Sequence, residues 1–181
     1  EKDQVRRIAQ EAGLPVAAKP DSQDICFVPD GDYAKFIENY AQKSYPKGKF
    51  VDKSGNVLGE HNGIIRYTIG QRKGLNIALG HPVYVIGKNL DDNTVILGSN
   101  DDLNQKELLA DDFNWIIEKP KDSIKCCAKT RYNMKEVPCT AYCEGDKVRV
   151  VFDNSVRAVT SGQAVVLYDG DYVLGGGTII S

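Results

Sequence analysis

The stretch KCCAKTRYNMKEVPCTAYCEGDKVRVVF, residues 125–152, decides the fold. It holds three runs, KCCAKTRY (125–132), VPCTAYC (137–143) and KVRVVF (147–152), in which apolar or aromatic residues alternate with polar ones. Short alternating runs bounded by turn residues read as strands. Working outward, FNWII (113–117) precedes them, and AVVLY (164–168) and VLGGGTII (173–180) follow at similar spacing. Five or six strands at this interval over 108–181 predict a small β-barrel. Gly175-Gly176-Gly177 lacks the Lys-Ser/Thr and helix start of a phosphate cradle, so it is read as a tight bend before the last strand.

Upstream, residues 46–100 show the same alternation and form a small, mostly β unit. Its hairpin-like turns are Lys53-Ser54-Gly55-Asn56 and Leu90-Asp91-Asp92-Asn93. The polar residues 101–106 are expected to be a linker. Before this unit, Tyr33, Phe36, Ile37, Tyr40 and Ala41 recur at helical spacing and predict a helix over 32–43. At the start, Val5, Ile8, Ala9 and Ala12 predict a helix over 1–14 that Gly13 can end. The apolar run Leu14 to Ala18 is then expected to be a buried strand, and 19–31 a loop. Helix, turn and strand are the closing unit of an α/β sheet whose other strands are expected upstream of Glu1. The fold class is therefore mainly β with some α. The expected domains are an α/β remnant at 1–31, a central β-rich domain at 32–104 and a C-terminal barrel at 105–181.

The chain has 181 residues, 41% of them hydrophobic, enough to build a core. The net charge of −2 gives no global basic excess, so nucleic-acid binding would have to come from a local basic face. No run approaches a membrane span and no apolar signal core is present. The expectation is a cytoplasmic protein with no membrane partner. Five cysteines without an export signal are expected to be free thiols, ligands or catalysts. The first residue is Glu1 and the one methionine is Met134, so the chain is expected to be part of a longer protein.

Cys26 is the one cysteine expected to lie in an irregular loop. A thiolate there can accept a sulfane sulfur as a persulfide and present it as a nucleophile. The alternative is a small buried hydrophobe, and the nearby Asp21 and Asp24 oppose thiolate formation. Arg72 and Lys73, between two glycines in TIGQRKGL (68–75), form an exposed basic turn suited to phosphate, or simply a solvated turn. Arg131 can grip phosphate and Tyr132 can offer a flat face to a base; an ordinary strand end is the alternative. Gln163 reads alone as a polar turn residue. Cys126, Cys127, Cys139 and Cys143 come as CC and CxxxC rather than close CxxC pairs, so core packing is favoured over zinc and no metal site is expected. Trp115 is assigned to the core and His81 to a structural role.

SQDICF (22–27), TIGQRKGL (68–75), AKTRYN (128–133), VTSGQAVVLY (159–168) and VLGGGTII (173–180) occur in one order, and together they resemble the C-terminal portion of the tRNA-specific 2-thiouridylase family. The resemblance implies a remnant of a PP-loop α/β domain, an SH3-like central domain and a translation-factor-like barrel. It implies that Cys26 is the catalytic cysteine that carries the persulfide, loaded by a cysteine desulfurase or a sulfur-relay protein. It also implies that Arg131, Tyr132 and Gln163 contact tRNA, the family's usual proline before the glycine being Ser161 here. The remaining parts are implied to lie in an N-terminal domain outside this sequence. They are ATP with Mg²⁺, which activates C2 of the wobble uridine, and a second cysteine that resolves the spent persulfide as a disulfide. No SGGxDS-type loop is present, so no cofactor is expected in this chain and it is expected to be inactive alone. The competing readings are a non-catalytic RNA-binding β-barrel module with an inert Cys26, and a protein-interaction barrel.

Overall fold

A computed structural model describes residues 1–19, 28 and 31–181. The chain divides into two compact units, Glu1–Ser44 and Tyr45–Ser181.

In the first unit, helix α1 (Lys2–Glu11) opens with a reciprocal capping box between Glu1 and Gln4. Gly13 follows at φ +67°, the left-handed position where a helix end favours glycine. The apolar stripe of α1 is not buried, Val5 and Ile8 both being 65% exposed. The strand expected at Leu14 to Ala18 does not form. This segment coils into consecutive turns closed by Ala17 N–H to the Leu14 carbonyl and Lys19 N–H to the Val16 carbonyl, both at 3.0 Å. The physical reason is that Pro15 supplies no donor and no described residue offers this segment a sheet edge. Helix α2 (Tyr33–Ala41) begins where the Asp32 carboxylate accepts the Lys35 N–H at 3.0 Å, and Phe36 stacks on Tyr40 one turn later.

The second unit carries ten strands. Four form a sheet in the order β2-β1-β4-β3: β1 (Gly48–Val51), β2 (Val57–His61), β3 (Tyr84–Asn89) and β4 (Thr94–Gly98). Both expected hairpin turns are present, 53–56 between β1 and β2 and 90–93 between β3 and β4. The core of the sheet is Phe50, Ile64, Tyr67, Leu75, Val85, Val95 and Leu97. His61 is fully buried among them, packed against the rings of Phe50 and Tyr67. Its Nδ1 accepts the Gly63 N–H at 3.2 Å, so Nε2 donates to the Asn93 carbonyl at 3.1 Å. Burial pushes its pKa below the usual 6.5, which favours the neutral ring.

The other six strands close a barrel in the order β10-β5-β8-β7-β6-β9. They are β5 (Asn104–Trp115), β6 (Ser123–Lys129), β7 (Val137–Glu144), β8 (Lys147–Arg157), β9 (Ala164–Asp169) and β10 (Tyr172–Ile179). Leu108, Val150, Phe152, Val165, Leu167 and Ile179 fill the interior, and Trp115 packs against it. Mainly β with a closed barrel is the class expected from the spacing.

Two local expectations are overturned. Residues 101–106 are not a loose linker: Asp101–Leu103 makes a single 3₁₀ turn and β5 starts at Asn104. Leu103 is 2% exposed, and the Asp102 carboxylate ties the turn to the Ser99 N–H at 2.8 Å and to Lys53 at 2.6 Å. Gly175-Gly176-Gly177 lies inside β10 rather than in a bend. A Cβ on these residues would meet the carbonyl oxygens of Asn114, Val165 and Asp111 at 2.6, 2.9 and 2.7 Å. Glycine is required because the backbones of β5 and β9 crowd the strand from both edges, and it carries a bulge toward each neighbour.

Candidate functional site

The barrel places a cleft where the loop after β6 meets the start of β9. It has a volume of about 730 Å³ and is lined by Lys129, Arg131, Tyr132, Asn133, Gln163 and Tyr168, among others. Arg131, Tyr132 and Gln163, singled out from sequence, therefore converge although Gln163 is 31 residues beyond Tyr132. Register explains the meeting. β6 and β9 pair antiparallel with Lys129 opposite Val166, so the residues just past β6 lie against those just before β9.

The loop between β6 and β7 is built to display side chains. Thr130 is buried, and both its N–H and its hydroxyl point at the Met134 sulfur, at 3.1 and 3.3 Å. The Met134 N–H returns to the Arg131 carbonyl at 3.3 Å. The turn closes on itself and throws Tyr132 outward, 96% exposed. Arg131 is held differently: its guanidinium donates to the Ala158 carbonyl, which also accepts the Thr160 hydroxyl at 3.1 Å. Ala158 sits at φ +54°, a costly backbone for alanine. Its N–H donates to the Leu103 carbonyl at 2.7 Å, so the residue is fastened on both sides.

The opposite wall is the turn Thr160-Ser161-Gly162-Gln163. The Gln163 N–H closes it on the Thr160 carbonyl at 3.2 Å, and Gly162 takes φ +84°. A glycine with positive φ in the third position is the type II pattern, which favours proline in the second. Ser161 stands there, and its hydroxyl donates to the Ile180 carbonyl at 3.2 Å, a tie that proline would lack. Gln163 is further pinned by its carbonyl, which accepts the Ile179 N–H at 2.8 Å.

Sequence reasoning did not single out Lys129 or Tyr168. The Lys129 ammonium lies 5.1 Å from the Tyr168 ring centroid and 3.1 Å from a Glu136 carboxylate oxygen. Only the β6–β9 register brings Lys129 and Tyr168 together, and nothing local in either segment marks it. The cleft thus offers cations, an exposed aromatic face and amide groups, the set that grips phosphate and stacks a base.

Cys26 lies outside the described residues. Of the other four cysteines, Cys126 and Cys139 face each other across β6 and β7 with sulfurs 3.6 Å apart. The hydrogen bond between them pulls the Cys126 thiol down, while that bond and burial push Cys139 up. Among the described residues, no three His, Cys, Asp or Glu side chains are grouped to hold a metal ion. No described helix is long and apolar enough to cross a membrane.

Three family descriptions match the chain in succession. Residues 1–30 match the tRNA methyl transferase HUP domain, 34–99 the tRNA methyl transferase PRC-barrel domain and 105–179 the aminomethyltransferase β-barrel domain. The class is thus a tRNA-modifying architecture that ends in a β-barrel. A protein of Acetivibrio thermocellus named tRNA-specific 2-thiouridylase MnmA is 56% identical over 180 residues, covering 98% of this chain and 50% of that protein. Proteins of the same name from Clostridioides difficile and Lachnoclostridium phytofermentans are each 51% identical over 181 residues; each match covers 99% of this chain, and 50% and 51% of those proteins. The chain belongs to the tRNA-specific 2-thiouridylase family, and it spans about half the length of these relatives.

Proposed function

We propose that this chain is the tRNA-holding and sulfur-carrying part of a tRNA 2-thiouridylase. In this reading the intact protein transfers sulfur from a cysteine persulfide to C2 of the wobble uridine. The observation that carries the tRNA half is the convergence of Arg131, Tyr132 and Gln163 in one cleft from loops far apart in sequence. Arg131 is already fastened by one of its nitrogens, so its remaining donors meet a phosphate at reduced entropic cost. Tyr132 has no intramolecular packing to give up before it stacks on a base. An unstacked base offered to the cleft fits the way RNA is read in single-stranded regions.

The sulfur half rests on the family resemblance of SQDICF, with Cys26 as the persulfide carrier and a cysteine desulfurase or sulfur-relay protein as donor. By the same resemblance, ATP and the resolving cysteine belong to a part of the intact enzyme beyond this sequence.

Two measurements test the two halves. Titrated with a tRNA transcript, the 181-residue chain is expected to bind with an affinity that falls as salt rises. No binding at low salt would overturn the tRNA role. In cells whose only copy of the intact protein carries Cys26→Ala, 2-thiouridine is expected to vanish from tRNA while the protein stays abundant. Persistence of the nucleoside would make Cys26 structural and leave a non-catalytic RNA-binding module.

A further inference from the structure

The turn Gly70-Gln71-Arg72-Lys73-Gly74 of the four-stranded unit is built more rigidly than a solvated loop needs to be. Its glycines take φ +87° and +76°. Its main chain is tied to the start of β3, with the Gly70 N–H on the Val85 carbonyl at 2.8 Å and the Val85 N–H on the Gln71 carbonyl at 2.9 Å. The Gln71 side chain clamps both ends of the turn, accepting the Thr68 N–H and donating to the Lys73 carbonyl, each at 3.0 Å. On this fixed frame Arg72 and Lys73 are exposed, and neither side chain pairs with any described residue. Two unpaired cations are thus available to an anion on a turn whose backbone has little entropy left to lose.

The position of the turn gives the anion its class. A Cβ on Gly70 would lie 3.2 Å from the Ala158 Cβ and 3.7 Å from the Arg157 guanidinium. Arg157 is held over the Tyr84 ring at 5.4 Å and by Asn100 at 3.0 Å, and is otherwise open to solvent. Ala158 is the residue whose carbonyl holds Arg131. The backbone of the basic turn therefore comes within roughly 10 Å of the Arg131 guanidinium. That separation is short enough for one extended polyanion to reach both the turn and the Arg131 cleft. At this joint the Asp102 carboxylate is paired with Lys53 at 2.6 Å. The cleft beside the turn, lined by Arg72, Asn76 and His81 among others, is open rather than enclosed. Cations strung along an open ridge suit an extended polyanion better than a small anion, which needs convergent donors.

We propose that Arg72 and Lys73, with Arg157 beside them, form a second phosphate-contacting site that continues the barrel cleft and holds the backbone of the same RNA. The proposal rests on the reading of the Arg131 cleft as an RNA site. It extends the RNA footprint from the barrel onto the four-stranded sheet.

The test is anisotropy titration of a labelled tRNA transcript with the 181-residue chain, repeated between about 50 and 200 mM salt. For Arg72→Ala/Lys73→Ala the slope of log affinity against log salt is expected to fall by about 1.4–1.8, the share of two phosphate contacts. Arg72→Gln/Lys73→Gln removes the charge with less change in side-chain length and should give the same fall, whereas Arg72→Lys/Lys73→Arg should keep the slope. An unchanged slope in both neutral variants, against a wild-type chain that binds tRNA, overturns this site and leaves the cleft standing. A wild-type chain that does not bind tRNA overturns the cleft, and this site with it.

Discussion

Tyr132 allows function and stability to be separated in one substitution. The ring is 96% exposed, so Tyr132→Ala removes almost no buried surface. The turn beneath it is closed by Thr130, Arg131 and Met134, none of which uses the Tyr132 side chain. Folding stability should therefore stay within about 0.5 kcal/mol of the wild type, the range of surface substitutions. Binding should not stay the same. Stacking of one base on an aromatic ring is worth about 1–3 kcal/mol by alanine substitution. That converts to a Kd raised about 5- to 150-fold. Tyr132→Phe keeps the face of the ring and should retain most of the affinity. The assay is anisotropy titration with labelled tRNA, alongside a urea unfolding curve for each variant. A Kd for Tyr132→Ala equal to that of the wild type, with tRNA bound, would refute the stacking role. A loss of affinity matched by a lowered unfolding midpoint would refute the claim that the side chain is free of the fold.

Two further outcomes follow from packing and burial. Gly177→Ala should destabilise the barrel by about 1–3 kcal/mol, because the new Cβ would sit 2.7 Å from both the Asp111 carbonyl and the Phe113 ring; a denaturant midpoint equal to the wild type would refute the crowding. For His61 the folded pKa is depressed below 6.5, so the unfolded chain binds the extra proton first as pH falls. Stability should be level above pH 6.5 and decline below it toward the folded pKa, and His61→Gln should flatten that decline; a wild-type curve without a slope there would contradict the neutral buried ring.

The barrel was legible because its strands alternate and are punctuated by turn residues, and the sheet for the same reason. The extent of β5 was not. Its first nine residues, NQKELLADD, hold only Leu108, Leu109 and Ala110 as apolar positions, so only FNWII carries a strand's pattern. The polar 101–106 segment misled in the same way: its Asp102 carboxylate bonds Ser99 and Lys53 and its one leucine is buried, so composition alone reads as a linker. The glycine run misled because its meaning is set by neighbours on both sides, 60 or more residues away for Asn114 and Asp111. Leu14 to Ala18 has a strand's composition without a strand's partner among the described residues. At the candidate site the residue types were legible, but their convergence was not. Arg131 meets Ala158 and Lys129 meets Tyr168 only through strand register, which no local pattern encodes.

The circular order of the barrel sets a timetable. β5, the first of its strands to be synthesised, pairs with β8 on one side and with β10, the last, on the other. Until β10 emerges, β5 and β9 each present an unpaired edge, and such edges recruit other chains. Closing a loop of that length is also entropically slow compared with forming the β6–β7 and β7–β8 hairpins. A nascent chain thus carries a three-stranded meander that is easily made and a gap that only its final strand can fill. The three small glycines in that strand let it slide into the gap between two walls already in place.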